Sequence, residues 1–354
     1  MLVVDGSQGE GGGQVLRTSL SLSALTGRPF TIEKIRANRS RPGLRPQHLT
    51  AVRAAAAICR AKTAGAELAS TELRFEPTAG PMGGDYSFDV REASPSGKSA
   101  GAVTLILQAI LWPLLFASKP STVTLHGGTF VPFSPPYHYL AGVFRPALTA
   151  FGIEFEPELL RWGWMEGGGG IIRARIKPCR RIHGARFKAP EERSVHGVAG
   201  VSNLPSHIPH RMSRRAHNLL VNAGFQPAID AVRERSDGPG AGIVLWRSLA
   251  GFSSLGRKGL PAEEVAQTAV ADLISFMDNG AAVDRFLADQ LLIPMALAHG
   301  PSSFTTDSIS THLLTNSQLL RLWLDASITV QDMPGQLGRV SVTGSGHESS
   351  QERE

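Results

Sequence analysis

Short β-rich runs alternate with helix-patterned runs along nearly the whole chain, and that alternation confines it to layered α/β architectures. The runs at 31–35, 72–75, 86–90 and 122–125 read as strands, and those at 14–25, 47–61, 102–116 and 139–151 as helices. Pro46 stands just ahead of the second helix, where its missing N–H would have lacked a partner in any case. The same local wording, a helix end followed by glycine and a strand, appears at 25–30, 148–153 and 220–225. It fits either a repeated helix–strand unit or the ordinary glycine stop after a helix.

A chain of 354 residues can form two domains, or one large domain with an insert. Composition changes after Pro178: residues 179–188 are rich in Arg and His, and a fresh α/β pattern then runs to about Asn279. We therefore assign residues 1–182 and 280–343 to one discontinuous domain and 183–279 to an inserted domain. Residues 344–354 carry almost nothing to bury, which predicts a disordered tail.

Cys59 and Cys179 lie far apart, and neither has a partner at metal-ligand spacing. This speaks against a disulfide framework or zinc site and for a reducing compartment. The N-terminus does not read as a signal peptide, and the apolar run at 103–117 is broken by Gln108 and Pro113. That run is shorter than the roughly 20 residues needed to span a bilayer, so the chain reads as cytoplasmic, with no membrane partner. The formal net charge of +6, dominated by arginine, suits forked contacts to a phosphate-bearing partner without requiring one.

Four segments have the residue types for chemistry. The first, Gly6-Ser7-Gln8-Gly9-Glu10-Gly11-Gly12-Gly13-Gln14-Val15-Leu16-Arg17, is a glycine-dense loop entering a helix. Backbone N–H groups there can approach an anion, and Arg17 on the first turn can reach the same anion. A flexible turn is the plain alternative, and Gln14 stands where a dinucleotide fingerprint would need its third glycine. The second segment, 35–48, places Arg36, Arg39, Arg41 and Arg45 on a Pro/Gly turn, spaced either to clamp phosphates or to form a solvated charged loop. The third sets Asp289 and Gln290 inside an apolar stretch, where a buried Asp must be paired or functional. In the fourth, Thr311-His312-Leu313-Leu314-Thr315-Asn316, His312 falls near a helix N-terminus. The helix dipole disfavours imidazolium there, leaving a neutral ring, although a lone histidine is more often structural. Ser96-Gly97-Lys98-Ser99 mimics the end of a P-loop but has Glu92 where the first glycine belongs.

In order and wording these segments resemble the RNA 3′-terminal phosphate cyclase family. The likeness adds Gly83-Gly84-Asp85-Tyr86, Thr104-Leu105-Ile106-Leu107-Gln108, Asp237-Gly238-Pro239-Gly240 and Leu287-Ala288-Asp289-Gln290-Leu291, and it extends to about Val342. It implies an α/β fold: a large domain of three repeated units, each a four-stranded sheet with two helices, plus a smaller α/β insert domain. It also implies an enzyme that converts an RNA 3′-phosphate to a 2′,3′-cyclic phosphodiester with ATP as co-substrate. His312 would attack the α-phosphate of ATP through Nε2, the RNA 3′-phosphate would take the AMP, and the 2′-hydroxyl would close the ring.

By the same resemblance, Asp289 is a functional acid, and Gln108, Phe286, Leu287, Ala288, Asp289 and Gln290 contact ATP. Arg17, Arg36, Arg39 and Gln47 handle RNA phosphate, and Glu10 holds a divalent ion, Mg or Mn. The chain departs from the family at Gly163-Trp164-Met165-Glu166-Gly167-Gly168-Gly169-Gly170, at Phe286 where tyrosine would hydrogen-bond, and in an extra run at 91–98. Non-catalytic cyclase-like ribosome-assembly factors are the rival reading. They lack the nucleophilic histidine, so His312 with Glu10 and Arg17 argues against them. Carboxyvinyl transferases, built from comparable units, share no substrate motif with this chain.

Overall fold

The computed structural model describes residues 1–331 and 337–348. The first sheet is built from β1 (Leu2–Asp5), β2 (Phe30–Glu33), β3 (Lys62–Ala64) and β4 (Leu73–Glu76), with α1 (Gly13–Thr26) and α2 (Pro46–Cys59) as its connections. Its order is β1-β2-β4-β3; β1 and β2 run parallel, and the other pairs antiparallel. The second sheet contains β5 (Asp85–Asp89), β6 (Ser121–Gly127), β7 (Phe155–Arg161) and β8 (Gly170–Ile176). Its helices are α3 (Val103–Leu115), then α4 (Tyr137–Tyr139) and α5 (Arg145–Thr149), joined through a looser turn at Leu140–Phe144. The order β5-β6-β8-β7 repeats the strand directions of the first sheet.

The third sheet has a different order, β10-β9-β11-β12, formed by β9 (Ser194–Ser202), β10 (Gln226–Arg233), β11 (Gly240–Arg247) and β12 (Ala250–Leu255). Helices α6 (His207–Asn222) and α7 (Ala262–Asn279) pack against it. After α8 (Arg285–Gln290) and α9 (Leu292–Leu297) come β13 (Pro301–Thr306), α10 (Thr311–Trp323), β14 (Ser327–Gln331) and β15 (Gly338–Thr343). They give an antiparallel sheet, β13-β15-β14, that Val283 extends by a parallel bridge to Thr306.

Burial follows the same division. One cluster takes its buried side chains from Val4 to Ala185 and again from Ala282 to Val342, and a second from Val195 to Ala281. A small third cluster, Phe130, Trp162, Trp164, Val198 and Val244, joins side chains from both stretches. Helix α3 is apolar on every side and lies in the main cluster. A polar group within such a helix needs a partner. The Thr104 hydroxyl accordingly donates to the Pro135 carbonyl (2.8 Å), and Gln108 reaches α8.

One choice left open by the sequence closes here, and one expectation changes. The helix–glycine–strand wording marks helix stops: Gly27, Gly152 and Gly224 all have left-handed φ, at 70°, 78° and 81°. They precede β2, β7 and β10, which occupy non-equivalent places in their sheets. Residues 344–348 do not form a disordered tail. The amides of Ser345, Gly346 and His347 donate to the carbonyls of Ala296, Ala298 and Leu297, and the His347 ring packs edge-on against Phe116. Backbone pairing, which composition does not register, holds this segment; residues 349–354 lie outside the described residues. Both cysteines are free, and among the described residues no helix is long and apolar enough to cross a membrane.

Candidate active site

Helix α10 begins with Ser310 as its cap, the hydroxyl accepting from the Leu313 amide (3.1 Å), and His312 is its second residue. The glycine-dense loop between β1 and α1 is pressed against this helix end. Gly9 sits at φ +60°, and a Cβ there would collide with the Thr315 hydroxyl, so glycine is required for the approach. The approach delivers Glu10: its Oε1 lies 3.1 Å from His312 Nδ1, and its Oε2 lies 3.0 Å from Arg39 Nη2. Three segments that look separate in sequence therefore form one cluster, with the carboxylate bridging imidazole and guanidinium.

Behind it, α1, α8 and α10 are tied by polar side chains. Thr18 donates to Asn316 Oδ1 (2.9 Å), Asn316 donates to the Asp289 carbonyl (3.1 Å), and Gln14 donates to Asp289 Oδ2 (3.4 Å). Burial pushes the Asp289 carboxyl up to about 7; Arg17 pulls it down and Asp284 pushes it further up. Burial likewise brings the Arg17 guanidinium down to about 10, opposed by Asp289. The pair thus shares one poorly solvated environment without direct contact.

Gln108 Nε2 donates to Gln290 Oε1 (2.6 Å), and Gln290 donates to the Phe286 carbonyl, so Gln108 and the 286–290 segment meet. Leu287 and Ala288 are fully buried and anchor α8, whereas the Phe286 ring is 52% exposed, with Arg285 5.8 Å over its face. An exposed ring of this kind can stack on a base.

The arginine loop divides. Arg39 faces the histidine cluster, but Arg36 turns back on its own loop, with Nη1 donating to the carbonyls of Arg41 (2.7 Å) and Gly43 (3.0 Å). It braces the turn and keeps Nε and Nη2 for any anion. Gln47 uses Oε1 to accept from the Ala102 amide (2.8 Å). His48, beside Gly13, has its ring pushed down to about 3 by burial and then by Arg17, Arg36 and Arg45, so it is neutral. Among the described residues no three His, Cys, Asp or Glu side chains gather to hold a metal ion.

Asp284 is the residue that sequence reasoning passed over. It is fully buried and caps α8: Oδ1 accepts from the amides of Phe286 and Leu287 (both 2.7 Å), Oδ2 accepts from Gly251 N–H (2.8 Å), and the Tyr139 hydroxyl donates to both oxygens. An Asp directly before a short helix is a cap signal in the sequence, but its distant partners were not legible. Asp284→Ala removes a cap worth about 1–2 kcal/mol and strands two buried donors at about 1–3 kcal/mol each. Thermal unfolding should therefore show a loss of about 3 kcal/mol or more; a loss below about 1 kcal/mol would contradict this role.

The fold and this cluster define an α/β protein in which a helix-terminal histidine is held by a carboxylate beside arginines. The family model for RNA 3′-terminal phosphate cyclase matches residues 8–330, and the chain belongs to that family. RNA 3′-terminal phosphate cyclase of Gloeothece citriformis is 50% identical over 325 residues, covering 90% of this chain and 93% of that protein. Its counterpart in Trichormus variabilis is 48% identical, covering 93% and 96%, and that of Methylococcus capsulatus 46% identical, covering 90% and 89%. A solved enolpyruvyl transferase, NikO of Streptomyces tendae, overlays 99% of this chain and 49% of its own at a TM-score of 0.38 and 10% identity, too slight a likeness to carry weight.

Proposed function

We propose that the protein converts an RNA 3′-terminal phosphate into a 2′,3′-cyclic phosphodiester at the expense of ATP, through an AMP adduct on His312. Family membership supports the overall reaction. The observation that carries the mechanism is the Glu10 carboxylate 3.1 Å from His312 Nδ1. A carboxylate there favours the proton on Nδ1, which leaves the Nε2 lone pair for attack.

In the first step Nε2 bonds to the α-phosphorus and pyrophosphate leaves. An oxygen of the RNA 3′-phosphate then displaces the histidine and takes the AMP. The 2′-oxygen finally attacks the 3′-phosphorus, loses its proton and expels AMP. Each displacement needs positioned positive charge, which Arg17, Arg39 and the free nitrogens of Arg36 supply, with the Gln47 amide beside them. We assign the adenine and ribose to Gln108, the exposed Phe286 ring and the α8 end at Asp289 and Gln290.

Glu10 is one carboxylate already paired with Arg39, a donor set too small for an all-protein metal cage. It fits Mg or Mn arriving with the phosphates of ATP, a mode such ions favour. The ion would neutralise phosphate charge there. We also read β1–β4, β5–β8 and the segment from Val283 to β15 as three copies of one β-α-β-α-β-β unit, with 183–279 inserted. The shared strand order and the separate buried cluster support that reading.

Two measurements probe these roles. Arg39→Ala should lower kcat/KM for RNA by about 10- to 150-fold, the equivalent of roughly 1.5–3 kcal/mol for a charged donor; unchanged turnover at subsaturating RNA would remove Arg39 from the site. Glu10→Ala should slow adduct formation with labelled ATP by about 10- to 100-fold. Glu10→Gln, which keeps an acceptor for Nδ1–H, should recover part of that loss. Equal rates for both variants would show that the acceptor oxygen is irrelevant.

A further inference from the structure

A cavity of about 910 Å³, lined by no residue of the histidine cluster, lies between the end of β7 and strands β9 and β10. Arg161, Arg233 and Arg235 line it, with Glu234 as the one acidic residue in its wall. Arg233 uses Nε on the Leu204 carbonyl (2.9 Å), which leaves its terminal nitrogens free. No hydrogen bond or ion pair joins Arg235 to a described residue, and both guanidiniums are exposed. Arg161 is partly neutralised by Asp237, 3.6 Å from Nη1.

Behind the cavity lies a buried aromatic stack: Trp162, 7% exposed, packs on Trp164 (5.3 Å, 24°), Trp164 packs on Phe130 (4.9 Å, 22°), and the half-buried His138 ring lies 4.9 Å from Trp162 at the cavity wall. The indole packs against β9 because residue 200 is glycine; any Cβ there would sit 2.5 Å from the Trp162 ring. Burial lowers the His138 ring to about 4, so it adds a neutral flat surface and no charge.

Direct contacts connect this cavity to the proposed RNA-phosphate residues. Gln47 holds the Ala102 amide, and the neighbouring Ser99 carbonyl lies against Gly168. Gly169 abuts Asp237, and its carbonyl accepts from Arg161 Nε. The glycine loop that departs from the family pattern thus lies between the two, and its residues 167–169 all have left-handed φ.

We propose that this cavity is a second subsite for the RNA strand, holding single-stranded nucleotides upstream of the reacting 3′ end. Free guanidiniums beside the half-buried His138 ring offer a nucleotide phosphate contacts and one flat surface. The subsite reads no sequence; it lengthens the contact with the strand. This inference rests on the RNA-end reading above.

The test compares wild-type protein with Arg233→Glu/Arg235→Glu. The substrates are a 3′-phosphorylated RNA of about 12 nucleotides, within the roughly 4–16 that single-strand sites cover, and a 3′-phosphorylated dinucleotide. Binding of the longer RNA by fluorescence anisotropy should weaken by about 10-fold or more, and its log–log salt slope should flatten by roughly 1.4 for two lost contacts. KM for the longer RNA should rise, while dinucleotide turnover and adduct formation with ATP stay unchanged. Arg233→Lys/Arg235→Lys should restore most of the binding, and unchanged thermal unfolding excludes misfolding.

Unaltered binding of the longer RNA overturns the proposal, as does an equal loss on both substrates. Competition by an acidic peptide that leaves RNA affinity untouched in the variant would assign the cavity to a protein partner instead. If wild-type protein forms no adduct but the binding contrast persists, the cyclase reading fails and the subsite stands.

Discussion

RNA that ends in a 3′-phosphate but carries a 2′-O-methyl group is expected to accumulate as an adenylylated strand. Transfer of AMP from His312 needs only phosphate oxygens, so that step proceeds. Ring closure then lacks its nucleophile. An adjacent, oriented hydroxyl has an effective concentration of about 10⁵–10⁸ M, and water does not match that. With α-labelled ATP, label should move onto the RNA band and remain there, while an unmethylated control releases AMP and yields cyclic ends. AMP release at the control rate, with no labelled RNA at any time, would mean that the phosphate is not activated in this way.

His312→Ala should abolish both the adduct and cyclisation, with no residual pathway. The one nearby histidine that could replace it, His48, is 8% exposed, neutral, and confined between Gly13 and the arginines. The substitution leaves α10 intact, because its cap is Ser310 and its buried anchors are Leu313, Leu319 and Leu320. A stable protein–AMP bond in this variant would reassign the nucleophile.

The sequence showed much of this site because its parts lie in short, chemically loud segments. Histidine 312 could be placed at a helix start from its neighbours, and the glycine-dense loop could be read as an anion cradle. Four helices and four strands in the first half also fall close to where their apolar periods put them. What remained hidden depends on distant partners. Asp284 looks like an ordinary helix cap until Tyr139 and Gly251 are brought to it. Arg36 looks equivalent to Arg39 until its guanidinium folds back on Arg41 and Gly43. The Glu10–His312 contact spans nearly the whole chain and depends on Gly9 packing against Thr315, which no local pattern encodes. Residues 344–348 gave no apolar signal because backbone hydrogen bonds hold them.

The most direct test is to incubate the protein with ATP and a divalent ion but no RNA, then digest it under mild alkaline conditions and sequence the modified peptide by mass spectrometry. One adenylyl group is expected, on the Nε2 of His312, stable to alkali and lost in acid. An adenylyl group on a lysine, or none at any protein-to-ATP ratio while cyclic RNA ends still form, would contradict it.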